Sequence, residues 1–211
     1  MDIGRAGEVR FGYQPIVRLA GDPAVVCVET LLDMADPGRY VSGLTTDGMY
    51  DLFCAGADDS AQITTLDVSI NASPSLIVAY FTEIVEICSR RPNLIVEITE
   101  EDGLDQAILD RLLSAGVRVA LDDFGAGAPR FDVVTHPCVE GVKLDRSWVC
   151  AATEHRSTWH VLAAVVGSLA DQGKTITAEG IETFQAAEAM REAGVHRGQG
   201  FLWGAKTSLA A

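Results

Sequence analysis

From residue 64 onward the sequence alternates between short β-branched runs and longer stretches with helical spacing, and that alternation leaves few folds open. "TTLDVSIN" precedes "SLIVAYFTEIVEICSRR", "NLIVEITE" precedes "LDQAILDRLLSAG", and "VRVALDDFG" runs into a short irregular unit. "VEGVKLD", "KTITAEG" and "RGQGFLWG" follow, separated by "STWHVLAAVVGSLADQG" and "TFQAAEAMREAG". The strand-like runs are apolar almost throughout, which implies burial on both faces, as in a parallel sheet covered by helices. Gly116, Gly173 and Gly194 each fall where a helix should end, the place glycine takes after a C-cap. Two earlier candidates, "EVRFGYQPIVRL" and "AVVCVETLLD", bring the strands to about eight, the number that closes a (β/α)8 barrel. A doubly wound open sheet is the alternative.

A chain of 211 residues, 48% hydrophobic, supports one sizeable core, and no linker interrupts it, so a single domain over 1–211 is expected. The stretch from Asp33 to Gln62 is weakest, with "DPG", "SGLTTDG" and "AGADDSA" around at most one short helix near Tyr50 to Ala55. The start lacks the apolar core of a signal peptide, and "WHVLAAVVGSLA" falls short of the ~20 residues that cross a bilayer. A soluble, cytoplasmic protein without a membrane segment is the expectation. Five scattered cysteines and four histidines form neither a disulfide framework nor a zinc-ligand spacing. The formal net charge of -14 argues against a groove for polymeric nucleic acid, and an anionic ligand would need help from metal ions.

The ends of the strand candidates carry the chemistry. Reading them in order gives Glu29, Asn71, Glu97, Asp122 with Asp123, Lys143 with Asp145, Glu179 and Gln199. In a parallel barrel these ends converge on one mouth, although they are spread over most of the chain. Helix capping explains some of them, but glutamate is a poor N-cap and stands at three of the positions. Carboxylates crowded together repel one another unless cations intervene. Oxygen donors with one amide and no His or Cys suit Mg²⁺ or Mn²⁺, and two such ions form an activated-water site for a phosphodiester. A lysine beside them can orient or deprotonate that water where local positive charge lowers its pKa. This reading ends at a metal-dependent hydrolase of an anionic substrate.

"YQPIV" (13–17), "ETLL" (29–32), "SIN" (69–71), "VEITE" (96–100), "ALDDFGAG" (120–127), "VKLD" (142–145), "TAEGIET" (177–183) and "GQGFLWG" (198–204) resemble, in order, the motifs of the EAL domain. The resemblance implies a modified (β/α)8 TIM-like barrel with one antiparallel strand, and a bacterial phosphodiesterase that opens cyclic di-GMP to linear pGpG. It places two Mg²⁺ or Mn²⁺ ions on Glu29, Asn71, Glu97, Asp122 and Asp123, with Glu179 in the same shell. Catalysis falls to Lys143, Glu29 and Glu179. Gln14, Gln199 and Asp145 match substrate-side positions, and Glu100 matches a residue that steadies the loop after "DDFG".

Three departures accompany it. The family's phosphate-gripping arginine after "EALL" is Asp33 here, a loss worth roughly 1.5 to 3 kcal/mol of binding. The loop reads "DDFGAGAPRFDVV", with Ala126, Ala128 and Pro129 in place of more polar residues and Arg130 as a substitute cation. Only 42 positions separate Glu29 from Asn71, so the early βα region is shortened, and an uncovered sheet face there suits a protein partner or homodimer. A degenerate domain that binds a protein, or senses cyclic di-GMP without cutting it, is the competing reading; hydrolysis of pGpG itself is a third.

Overall fold

The computed structural model describes residues 9–99, 103–127 and 130–207. Eight strands close into a barrel in chain order. They are β1 (Phe11–Arg18), β2 (Val25–Leu32), β3 (Asp67–Asn71), β4 (Leu94–Thr99), β5 (Val119–Phe124), β6 (Val139–Leu144), β7 (Thr175–Ala178) and β8 (Arg197–Gln199). Neighbours from β2 to β8 pair in parallel, whereas β1 is antiparallel to both β2 and β8. The one reversed strand is therefore β1, as the resemblance implies.

Strand alternation divides the core in two. Outward positions such as Val68, Ile70, Val96, Ile98, Leu121, Val142 and Ile176 join the large cluster beneath the helices. Inward positions Ile16, Cys27, Ile95 and Ala120 form a small separate cluster inside the barrel. Each fully buried Leu or Ile of the outer layer contributes about 1.5–3 kcal/mol through loss of apolar surface to water. Arg118 crosses the lower end, donating to both carboxylate oxygens of Asp67 at 2.7 and 3.1 Å and to Glu140 at 2.9 Å.

The helices are α1 (Pro37–Ser42), α2 (Thr46–Asp59), α3 (Pro74–Ala79), α4 (Phe81–Arg90), α5 (Gln106–Ser114), α6 (Phe131–Val134), α7 (Arg146–Glu154), α8 (Arg156–Asp171) and α9 (Phe184–Glu192). Their starts follow capping chemistry: Thr45, Ser73, Asp105 and Thr183 each accept a hydrogen bond from a backbone amide of the first turn. Gly116, Gly173 and Gly194 follow three helix ends at φ of 71, 79 and 89°, as expected of C-cap glycines.

Two stretches are more helical than expected. The segment after β2 holds α1 and a fourteen-residue α2 rather than one short helix near Tyr50. Gly48 and Gly56 lower its intrinsic propensity, yet Gly56 is there for packing. A Cβ at Gly56 would lie 2.9 Å from Ile70 Cδ1 and 3.2 Å from Phe11 Cε1, so only glycine lets α2 lie this close to the sheet. The other is α7, which begins directly after Asp145, its N-cap. No helix among the described residues is long and apolar enough to cross a membrane.

Candidate metal centre at the barrel mouth

Pairing register sets the site. Gln14 lies opposite Glu29, Asn71 beside Glu97, and Thr99 beside Asp122, so inward residues of successive strands reach the same level. Asn71 Nδ2 donates to Glu29 Oε1 at 2.9 Å, and Gln199 Nε2 donates to Glu29 Oε2 at 2.6 Å and Gln14 Oε1 at 3.0 Å. Asn71 and Gln199 thus hold the two oxygens of the Glu29 carboxylate, and Gln14 steadies Gln199.

Lys143 stands at the centre, 3% exposed. Its ammonium lies 3.1 Å from Glu29 Oε2, 3.0 Å from Glu97 Oε2, 2.9 Å from Asp122 Oδ1 and 2.8 Å from Glu179 Oε1. Three N–H donors cannot serve four carboxylates, and a single charge cannot balance them. Burial and the charge of Glu29 push the Glu97 carboxyl well above its ordinary value. Burial, with Asp122 adding to it, pushes Glu179 up to about 7 despite Lys143. Burial likewise raises Asp123, helped by Asp122. For Glu29 burial acts upward too, but the Lys143 charge and hydrogen bonds from Gln199, Asn71 and Lys143 outweigh it and hold the carboxyl below its usual range. Burial tends to lower Lys143, but Glu29, Glu97, Asp122 and Glu179 outweigh it and keep the ammonium protonated. The expected lowering of its pKa is thus reversed in the protein by itself, and Lys143 acts as a positive anchor there.

The adjacent pair Asp122 and Asp123 would normally point to opposite faces of β5. Asp123 has φ 55°, among the described residues the one non-glycine with positive φ, and the pairing of β5 with β6 slips between Leu121 and Phe124. This bulge turns both carboxylates to the mouth while Phe124 returns to the core. Strain of this kind, held at a cluster of charged groups, is typical of a functional position.

Two carboxylate triads share Asp122. Oxygens of Glu29, Glu97 and Asp122 lie within 4.8 Å of one another, and so do those of Asp122, Asp123 and Glu179. Five carboxylates face one ammonium, Gln199 Oε1 is a buried acceptor without a donor, and Asp122 Oδ1 has only its ion pair with Lys143. An all-oxygen donor set with excess negative charge fits hard divalent cations. An apolar groove of about 420 Å³ opens from this cluster along α1 and α2, lined by Leu31, Met49 and Phe53 and reaching Asn71 and Glu97. The Thr30 hydroxyl is buried in it without a partner.

Other expected residues fall elsewhere. Asp145 caps α7, accepting from the Ser147 amide at 2.9 Å, which ties its carboxylate to the helix rather than to the cluster. Arg130 is turned to the Leu104 carbonyl at 2.8 Å and to Asp132 at 2.8 Å. Glu100, Ala128 and Pro129 lie outside the described residues. Sequence reading missed Thr30, which an outward strand position hides, and Lys206, a lone lysine beyond the last strand whose Nζ lies 3.8 Å from Asp33 Oδ1.

A model of the EAL domain family matches residues 49–206. The chain is 29% identical over 147 residues to the cyclic di-GMP phosphodiesterase PdeL of Escherichia coli K12, an alignment covering 65% of this chain and 41% of PdeL. It spans well under half the length of the curated relatives it matches. The EAL domain of Mycobacterium smegmatis DcpA superposes with a TM-score of 0.76 at 26% identity, covering 97% of this chain and 93% of that one. Klebsiella pneumoniae BlrP1, solved as a manganese and cyclic di-GMP complex, gives a TM-score of 0.82 at 22% identity, covering 96% and 57%.

Proposed function

The chain belongs to the EAL domain family, and from that premise we propose that it hydrolyses cyclic di-GMP to linear pGpG with divalent metal ions at the barrel mouth. The observation that carries the reading is the pair of carboxylate triads sharing Asp122 around the buried Lys143. PdeL is named for this activity, and BlrP1 is seen with manganese and this dinucleotide.

Glu29, Asn71, Glu97 and Asp122 would hold one Mg²⁺ or Mn²⁺, and Asp122, Asp123 and Glu179 a second. Such ions supply an activated water and neutralise charge on the phosphodiester. In the reaction the water oxygen joins phosphorus, the bond from phosphorus to one ribose 3′ oxygen breaks, and that oxygen leaves as a hydroxyl.

The protein's own groups do the rest. Gln199 and Asn71 hold Glu29 in one orientation, and Gln14 accepts from Gln199. Lys143, itself 3% exposed, carries a fixed positive charge to the place where negative charge develops. With those carboxylates engaged by metal ions, Lys143 would have N–H donors to spare for orienting a water.

Incubating the protein with cyclic di-GMP and Mg²⁺ or Mn²⁺, and following pGpG by chromatography, tests the reading. Product that disappears in Glu29→Ala and Lys143→Ala is the expected result. Tight binding without product would replace the enzyme with a non-hydrolysing sensor.

A further inference from the structure

The mouth is crowded with carboxylates, yet the proposed substrate carries two phosphodiester charges. Metal ions account for attraction at the cluster, but the groove leading away from it needs a cation of its own. Among the groove's lining residues there is one, Lys206. We propose that Lys206 binds the phosphate group of cyclic di-GMP that is not being cleaved. This inference rests on the functional reading above.

Several features place the lysine. Thr207 and Tyr13 exchange backbone hydrogen bonds at 2.8 and 3.0 Å, so the chain beyond β8 returns beside β1 and pins the neighbouring residue. The stem of Lys206 runs across Gly12, where a Cβ would meet its Cβ, Cγ and Cδ at 3.3–3.4 Å. The missing side chain at Gly12 is the lane along which the lysine reaches the end of β2. There Nζ donates to the Leu32 carbonyl at 2.5 Å. Asp33, at 3.8 Å, forms an exposed ion pair with it but lies beyond hydrogen-bond distance. Two of the three N–H donors thus remain without an acceptor among the described residues, and the side chain is 28% exposed.

The height also suits a second phosphate. Leu32 ends the strand three positions beyond Glu29, roughly 10 Å at 3.3 Å per residue, and Asp33 follows it. A lysine stem sweeps several ångströms from such an anchor. A dinucleotide with one phosphate at the carboxylate cluster can therefore present the other to Lys206, with the ribose between them beside the groove wall at Leu31.

The test is steady-state hydrolysis of cyclic di-GMP by the full chain and its Lys206→Gln, Lys206→Glu and Lys206→Arg variants, with melting temperatures in parallel. A lost charge-assisted contact predicts a KM raised about 10-fold in Lys206→Gln and further in Lys206→Glu, with a smaller change in kcat. Lys206→Arg should stay near the parent, and added salt should raise the parent's KM more than that of Lys206→Gln. If Lys206→Gln fails to fold, the comparison of Lys206→Arg with Lys206→Glu still decides. A parent enzyme that cuts the substrate with KM unchanged in the Gln and Glu variants overturns the role of Lys206 alone. A parent that neither binds nor cuts cyclic di-GMP overturns the functional reading and this inference together.

Discussion

Lys143 Nζ and Glu97 Oε2 lie 3.0 Å apart, 2–3% exposed, although 46 positions separate them in the chain. Lys143 is the single cation placed against Glu97 and three further carboxyl groups, those of Glu29, Asp122 and Glu179. Removing the ammonium in Lys143→Met leaves a buried carboxylate cluster with no counter-charge, which should cost about 3–5 kcal/mol in metal-free protein. Urea denaturation in a chelator and in Mn²⁺ should show the loss shrinking when the metal is present. An equal loss in both would mean that the carboxylates do not hold it.

Stability and metal affinity should depend on pH in opposite senses. The folded state holds a proton on Glu179 up to about pH 7, whereas the unfolded chain releases it near 4.5. The stabilising contribution of Glu179 is therefore full below about pH 4.5 and lost as pH rises through about 7. Glu97 is shifted the same way. Glu29, held low, works in reverse: its contribution is present above the ordinary carboxylate value and lost as pH falls through its depressed one. Metal must displace the Glu179 proton, so Mn²⁺ affinity should weaken as pH drops below about 7. Calorimetry at pH 6 in two buffers of different ionisation enthalpy should give observed heats that differ by the ionisation of the released proton; equal observed heats in the two buffers would refute the account.

Asp123 separates strain from function. Its φ of 55° suits glycine better than a side chain bearing Cβ. Asp123→Gly should be more stable than Asp123→Ala by about 1 kcal/mol, while both lose most hydrolysis of cyclic di-GMP. Urea midpoints and product assays on the pair check this, and an alanine variant as stable as the glycine one would show that the bulge relaxes.

Asp33→Arg should tighten cyclic di-GMP binding about 10-fold, because it replaces a repelling carboxylate at the groove with a bidentate phosphate donor. Binding calorimetry decides, and unchanged affinity would place the dinucleotide away from the end of β2.

Gly200 has φ 155°, and a Cβ there would collide with the backbone of Ile181, which itself bonds to Gln199 and Leu202. Gly200→Ala should lower stability by about 2 kcal/mol or more and displace Gln199 from Glu29. A melting temperature within a degree or two of the parent would contradict this.

The barrel was legible because hydrophobic period and strand ends report burial directly: Val96 and Ile98 face helices while Glu97 between them faces the mouth. The same logic found Glu29, Asn71, Asp122, Lys143, Glu179 and Gln199, all brought together. Asp145 caps the next helix, a role that looks the same in sequence as a carboxylate ending a strand. That logic underestimated α2, because Gly56 reads as a breaker when its neighbours in space, Ile70 and Phe11, are unseen. Lys206 carried no signal at all, since its position depends on a bridge between Tyr13 and Thr207, nearly the full length of the chain apart.

The reversal of β1 has a practical side. Its first residue, Phe11, stands level with Leu32 at the rim, and Thr207 is tied to Tyr13 just below. At Phe11 and Thr207 the polypeptide therefore enters and leaves the barrel on the side of the carboxylate cluster, which is the side of approach in the proposed reaction. A fluorescent fusion or capture tag joined at either point would overhang the doorway and throttle diffusion into it. Immobilisation for biosensing belongs on the opposite floor, around Arg118 and Asp67, where a tether leaves the approach clear.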